Sequence, residues 1–435
     1  MGTNSKRSER RSFIKYLGAA GAIGLAGCIG DDPDADDDNG NGNGNGNGNG
    51  NGNGNGNGNG ADPDVDEVVI GSNHPLSGGL GGTGTRMDNA VKLAAMIKNE
   101  NGGIESLGGA ELEVISGDNQ GEQELGGEVT DELIDEGAQI LTGCFSSPVT
   151  STATRAAERA GIPFVVSVSV DDAILQETEL DYIYRPQPPA NQMALNHAEM
   201  VTQVIRDAGH SVETAGIYYI DIDFGQSVRD HLREQLPAND VEIIQEVGIN
   251  FGETADTQVT QLVDADPDVV IAISYEAETV ELVRAMDDQN YSPPFLAGCA
   301  NEALNDRAAL QEMGETAEGA FATNFALNPV DDRAAEVRQR FEDEFDQSFD
   351  ANVAMTYAAA EVIIAGIEAA GSNDPDDIND ALTDITVEDH IAAMPPITFG
   401  PDGENENALA PLFQVQDLED RVIFPEEFAE SEVQL

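Results

Sequence analysis

Residues 139–166 read QILTGCFSSPVTSTATRAAERAGIPFVV. The opening Gln139-Ile140-Leu141-Thr142 is a short apolar run of strand type. Ser146, Ser147 and Pro148 break it, and residues 149–160 place small and apolar side chains at helical spacing. Ser147 suits the position that caps a helix, and Pro148 suits the first helical position. Gly161 then ends the helix, and Pro163-Phe164-Val165-Val166 starts a second strand. A strand, a helix and a strand in so short a span form a βαβ unit, which requires parallel strands.

The same rhythm extends in both directions. Upstream, strands are expected over 68–71 and 112–115, with helices over 86–99 and 127–136. The rhythm restarts after Arg185-Pro186-Gln187-Pro188-Pro189. Helices are expected there over 192–208, 225–235, 257–264 and 277–288, and strands over 215–220, 241–246, 269–274 and 294–298. Alternation of this kind gives parallel sheets with helices on both faces. The fold class is therefore α/β, with two Rossmann-like lobes, each around a parallel central sheet, and the Pro-rich stretch as the first crossover. The 435 residues suffice for two or three domains.

The front of the chain is read as an address, not a fold element. Arg10-Arg11-Ser12-Phe13-Ile14-Lys15 has the form of a twin-arginine signal. The apolar run over 16–26 is too short for a span of about 20 residues. It ends in Leu25-Ala26-Gly27-Cys28, which resembles a lipobox, so Cys28 is the expected lipidation site and residues 1–28 the signal. Residues 29–65 form the expected linker. Its Asn-Gly repeats over 39–60 carry nothing to bury, and the expected reach is roughly 30 Å. No other long apolar run is read in the sequence, so the membrane contact is expected through Cys28 alone.

Acids outnumber bases 82 to 20, for a formal net charge of −62. Such a surface repels phosphate backbones, which excludes nucleic acid as a partner. It repels itself as well, and becomes tolerable where salt shortens the screening length. A very salty environment is the expectation, against the plainer reading of an acidic protein. Cys144 and Cys299 each follow a strand-like run and are expected as small buried residues.

Several motifs now carry a resemblance. His74-Pro75-Leu76-Ser77-Gly78, the helix ending Asn99 to Ile104, and Gly117-Asp118-Asn119 come first. Gly143-Cys144-Phe145-Ser146-Ser147, Ala160-Gly161-Ile162-Pro163, Asp221 to Gly225 and Ile397 to Gly403 follow in order. Together they resemble the branched-chain amino acid and amide class of transporter binding proteins, the Leu/Ile/Val-binding type of periplasmic binding protein. The resemblance runs from about residue 66 to the end. It implies a type I fold with three hinge crossovers, near 185–189, 319–324 and 395–399. Lobe one would hold residues 66–186 and 322–395, and lobe two 187–321 and 396–435.

The resemblance also implies a site. Ser146 and Ser147 would meet the ligand's carboxylate or amide at a helix N-terminus. Ser167, Ser169 and Asp171 would hold its polar head; the plainer role of Asp171 is to cap the next helix. Phe224 and Tyr275 would pack the ligand body. The family's acid in a G-x-E turn is missing, because the turn reads Gly298-Cys299-Ala300, and Asn301 or Glu302 would replace it. The implied role is the substrate-binding component of an ABC importer, serving a permease and its ATPase subunits from the outer face of the cell membrane. A small polar solute is the expected ligand: a branched-chain amino acid, amide, urea or related metabolite. The chain is expected to be a monomer, without catalytic residues, metal or cofactor. A sensory domain of the same fold is the alternative.

Other chemistries fit poorly. Gly79-Leu80-Gly81-Gly82-Thr83-Gly84 matches G-x-G-x-x-G, but Pro75 to Gly78 separate it from the strand, and the first acid after the second strand, Asp118, lies too far on. This stretch is expected as a loop at the cleft lip. No Gly-x-Ser-x-Gly occurs, and the five histidines show no metal spacing. His74 is the one histidine beside the expected cleft.

Overall fold

The computed structural model describes residues 65–176 and 180–435. The signal, Cys28 and nearly all of the linker lie outside the described residues. The first part of the chain runs β1 (Glu67–His74), α1 (Gly81–Glu100), β2 (Glu111–Asp118), α2 (Gln123–Asp135), β3 (Ile140–Gly143), α3 (Ser147–Ala160), β4 (Phe164–Val166), α4 (Ala173–Gln176) and β5 (Ile183–Tyr184). Its strands form one parallel sheet in the order β2-β1-β3-β4-β5.

The second part runs α5 (Ala190–Asp207), β6 (Thr214–Ile220), α6 (Asp223–Ala238), β7 (Glu242–Ile249), α7 (Asp256–Ala265), β8 (Val269–Ile273), α8 (Glu276–Gln289), β9 (Phe295–Cys299), α9 (Arg307–Met313) and β10 (Phe321–Thr323). The chain then adds α10 (Asp332–Phe345), α11 (Ala351–Ala370), α12 (Pro375–Asp384), β11 (Thr386–Val387) and β12 (Ile397–Thr398), before β13 (Leu412–Gln416) and β14 (Glu419–Phe424). The second sheet has the order β14-β13-β10-β9-β8-β6-β7, parallel except at β13 and β14.

Central strands such as β8, Val-Val-Ile-Ala-Ile, are buried at every residue. A parallel sheet covered on both faces demands this continuous apolar run. In both sheets the strand order reverses beside the first strand, which opens a crevice at the carboxyl ends of the strands. The second sheet keeps the chain through Thr323, so the second crossing begins at Asn324, and the third closes only at Leu412.

Two expectations fail. The glycine-rich stretch is not a free loop: Gly81 to Gly84 form the first turn of α1. Gly84 explains why, since a Cβ there would stand 2.0 Å from the Pro75 carbonyl oxygen, so only glycine lets the helix seat on the preceding turn. The expectation of no further long apolar run also fails. Residues 351–370 are long and apolar enough to cross a membrane, but they form α11, a largely buried helix packed on α1, β3 and β4. Cys144 and Cys299 are both free and fully buried.

Candidate functional site

The loops at the carboxyl ends of both sheets meet at one small cavity. The first sheet supplies Phe145 and Ser147 after β3, and Val168, Ser169 and Val170 after β4. The second supplies Phe224 at the start of α6, Tyr275 before α8, and Ala300 and Glu302 after β9. Asn324 and Phe325 from the second crossing and Asn352 from the start of α11 complete the wall. The cavity holds about 30 Å³, the share of roughly one water, so a larger solute enters only if the walls part.

Tyr275 sits at the centre of an aromatic cluster. Its ring lies 5.0 Å from Phe145, 5.3 Å from Phe224 and 5.6 Å from Phe251, the last two in stacked geometry. Phe145 comes from the first sheet, so the cluster spans the cleft. Phe251 is 52% exposed, an unusual position for so large an apolar side chain. The Tyr275 hydroxyl is buried without a well-formed hydrogen bond among the described residues. Burial raises its pKa, and the neighbouring Ser146 only partly opposes this. The phenol therefore stays neutral and free to donate.

Ser146, not Ser147, occupies the cap of α3, and its side chain makes no capping bond. Pro148 accordingly falls at the second helical position. The first turn of α3 thus lacks a side-chain cap where anions are favoured by the helix dipole. The turn is braced from behind. Thr150 Oγ1 donates to the Ser146 carbonyl at 3.0 Å, and the Thr150 and Ser169 hydroxyls meet at 2.5 Å. Ser169 in turn donates to the Phe145 carbonyl at 3.0 Å.

Glu302 is buried, and burial with Asp350 nearby pushes its carboxyl up to about 8 against the pull of Arg86. Thr83 Oγ1 donates to it at 2.9 Å. Arg86 stands 3.6 Å away but pairs more closely with Asp350, at 2.8 Å.

The other expected residues lie beside the cavity and do not line it. Ser167 donates to the Cys144 carbonyl at 3.0 Å. Asp171 accepts the Ala173 N–H at 3.2 Å, the capping role; Ser227 also bonds to its carboxylate, whose pKa burial raises. Asn301 donates to Thr279 at 2.8 Å and accepts the Leu304 N–H at 3.2 Å, which holds the loop after β9. His74 is buried away from the lining, and desolvation lowers its pKa to about 4. Phe145, Phe251, Asn324 and Asn352 were not singled out from the sequence, although Phe145 lies within the quoted loop.

Residues 67–419 match the family model described as periplasmic binding protein. This chain belongs to the periplasmic binding protein family. The binding protein is 25% identical, over 374 residues, to the Leu/Ile/Val-binding protein homolog 8 of Brucella abortus, covering 83% of this chain and 92% of that one. Among solved structures, the isoleucine complex of a branched-chain amino acid transporter substrate binding protein from Streptococcus pneumoniae matches with a TM-score of 0.69 at 18% identity, covering 85% of this chain and 99% of that chain. A solute binding protein of an ABC transporter from Rhodopseudomonas palustris, in complex with 3,4-dihydroxybenzoic acid, matches with a TM-score of 0.70 at 19% identity, over 85% and 98% of the two chains. The binding protein therefore has the type I fold, acts in solute binding and works outside the cytoplasm.

Proposed function

We propose that the protein is the capture component of an ABC importer, holding one small solute between its two sheets and delivering it to a membrane permease. The observation that carries this reading is the convergence on one cavity of an uncapped helix N-terminus from one sheet and a cluster of aromatic rings shared by both. The ligand's polar head would lie at Ser146 and Ser147, and its body against Phe145, Phe224 and Tyr275. Three rings around the body favour a flat or bulky apolar group. The relatives bind isoleucine in one case and a dihydroxybenzoic acid in another. Glu302 would accept the N–H or O–H groups of the solute, with Ser169, Asp171, Ser167 and Asn301 supporting the loops around it. The lipid at Cys28 would tether the protein to the outer face of the membrane.

Thermal shift with leucine, isoleucine, valine and hydroxylated benzoic acids tests the reading. At least one should stabilise the protein, and Tyr275→Ala should abolish the shift while circular dichroism stays native. A ligand whose effect survives Tyr275→Ala removes this cavity from the proposal. Cys28→Ser should release the protein from the membrane fraction.

A further inference from the structure

Phe251 takes no part in lining the cavity, yet its ring lies 5.6 Å from that of Tyr275, with 22° between the planes. It is 52% exposed, whereas Tyr275 is 7% exposed, so the outer ring shelters the inner one. The turn that carries it is closely specified. β7 ends at Ile249, and the Glu253 N–H donates back to the Asn250 carbonyl at 3.2 Å. Gly252 has φ +71°, left-handed backbone that glycine adopts without strain. Phe251 therefore stands at the corner of the turn, a place that small and polar residues usually hold. The Gly252 N–H also donates to Glu278 Oε1 at 3.4 Å, which ties the turn to α8, the helix that begins just after Tyr275.

Parting the cleft would treat these rings unequally. The cavity is too small for a solute, so its walls must separate before one enters. Tyr275 would then lose Phe145, which belongs to the first sheet and lies 5.0 Å away. Phe224 and Phe251 belong with Tyr275 to the second sheet and would move with it. Stacked rings at such distances attract one another beyond their buried area. A side chain already held in its bound orientation loses less freedom when a ligand arrives. Of the two rings that stay, Phe224 lines the cavity and can meet the solute itself. Phe251 lies outside the lining and acts through Tyr275.

We propose that Phe251 is a positioning residue for capture: it holds the Tyr275 ring in its receiving orientation while the cleft is open, and slows the release of the solute once the cleft has closed. This role rests on the capture function proposed above.

Two measurements keep the fate of the role apart from the fate of that function. In the first, isoleucine and 3,4-dihydroxybenzoate are passed over the immobilised chain and their release is timed by surface plasmon resonance. Phe251→Ala should weaken binding and speed release of a bound probe by about two- to tenfold. Phe251→Tyr, which keeps the ring, should release at the wild-type rate. Phe251→Leu keeps the apolar bulk alone and should behave like Phe251→Ala, whereas a merely structural role would let leucine serve. Circular dichroism should stay native in all three, because the residue is half exposed. The second measurement needs no solute. Tetranitromethane should nitrate Tyr275 about twofold faster or more in Phe251→Ala than in wild type, with Tyr182 of the same chain as reference and peptide mass spectrometry as the readout. If neither probe binds, the solutes named for the cleft fail, and nitration alone decides for or against Phe251. Nitration of Tyr275 at the wild-type rate overturns the proposal. So does wild-type release from Phe251→Ala or from Phe251→Leu.

Discussion

Glu302 is a buried carboxyl with a fraction of a cation. Arg86 must serve Asp350 at 2.8 Å, Glu302 at 3.6 Å and Asp306 at 3.9 Å, and it favours the nearest. Burial therefore wins over attraction, and the Glu302 carboxyl rises from 4.5 to about 8. The native state then holds a proton that the unfolded chain releases between these values. Stability should be greatest below pH 4.5 as far as this group is concerned, fall as pH climbs from 4.5 to about 8, and level off above. Glu302→Gln removes the group without changing its shape. The difference in unfolding free energy between wild type and Glu302→Gln, read from urea titrations, should grow across that window, to on the order of a few kcal/mol. A difference independent of pH would show that Glu302 stays ionised. At this scale the sequence was legible where a motif names a residue at a strand end, as with Ser147, Phe224 and Tyr275. It was not legible for Phe251, which reaches Tyr275 from the loop after β7, or for Asn352, which arrives through the second crossing. No local spacing records such long-range meetings.

The first turn of α1 shows how an element can hide from composition. Gly81, Gly82 and Gly84 weaken helix propensity by about 1 kcal/mol each, and the sequence pattern accordingly starts the helix at residue 86. Tertiary packing overrides that preference because Gly84 seats on Pro75. Two substitutions in the same turn should therefore act in opposite directions. Gly84→Ala forces a Cβ against backbone and should cost about 1–3 kcal/mol. Gly82→Ala meets nothing within 4 Å and should stabilise by about 0.5–1 kcal/mol. Chemical denaturation of the two variants checks both signs, and a loss at Gly82 would contradict the helical assignment. Helices α2, α3 and α5 to α8 and strands β1 to β4 and β6 to β9 were legible because each carries its own period and its own stop signal, such as Gly161 after α3, whereas α9 to α12, β5 and β10 were not expected. The antiparallel β13 and β14 were less legible, because they add to the second sheet after a long excursion through α10, α11 and α12.

The whole molecule must reconcile a formal charge of −62 with contacts that hold its halves together. The first and third crossings are laced at Arg185, which is fully buried, pairs with Glu404 and donates to the Asp171 carbonyl at 2.7 Å. Across the cleft, Thr83 and Arg86 reach Glu302, and His231 pairs with Asp172. The contacts of Arg86 are largely shielded from water, so salt screens them little, whereas the surface acids repel one another through solvent. Added salt should thus relieve the repulsion and spare the clamp. The thermal midpoint should climb with KCl up to about 1 M, where the screening length has dropped to about 3 Å, and flatten beyond it. Sucrose, which acts by exclusion from the surface, should raise the midpoint without that plateau. A midpoint unmoved between about 0.05 and 1 M KCl would mean that the acids lie too far apart to matter. The charge would then bear on solubility alone, and the expectation of a very salty environment would lose its physical basis.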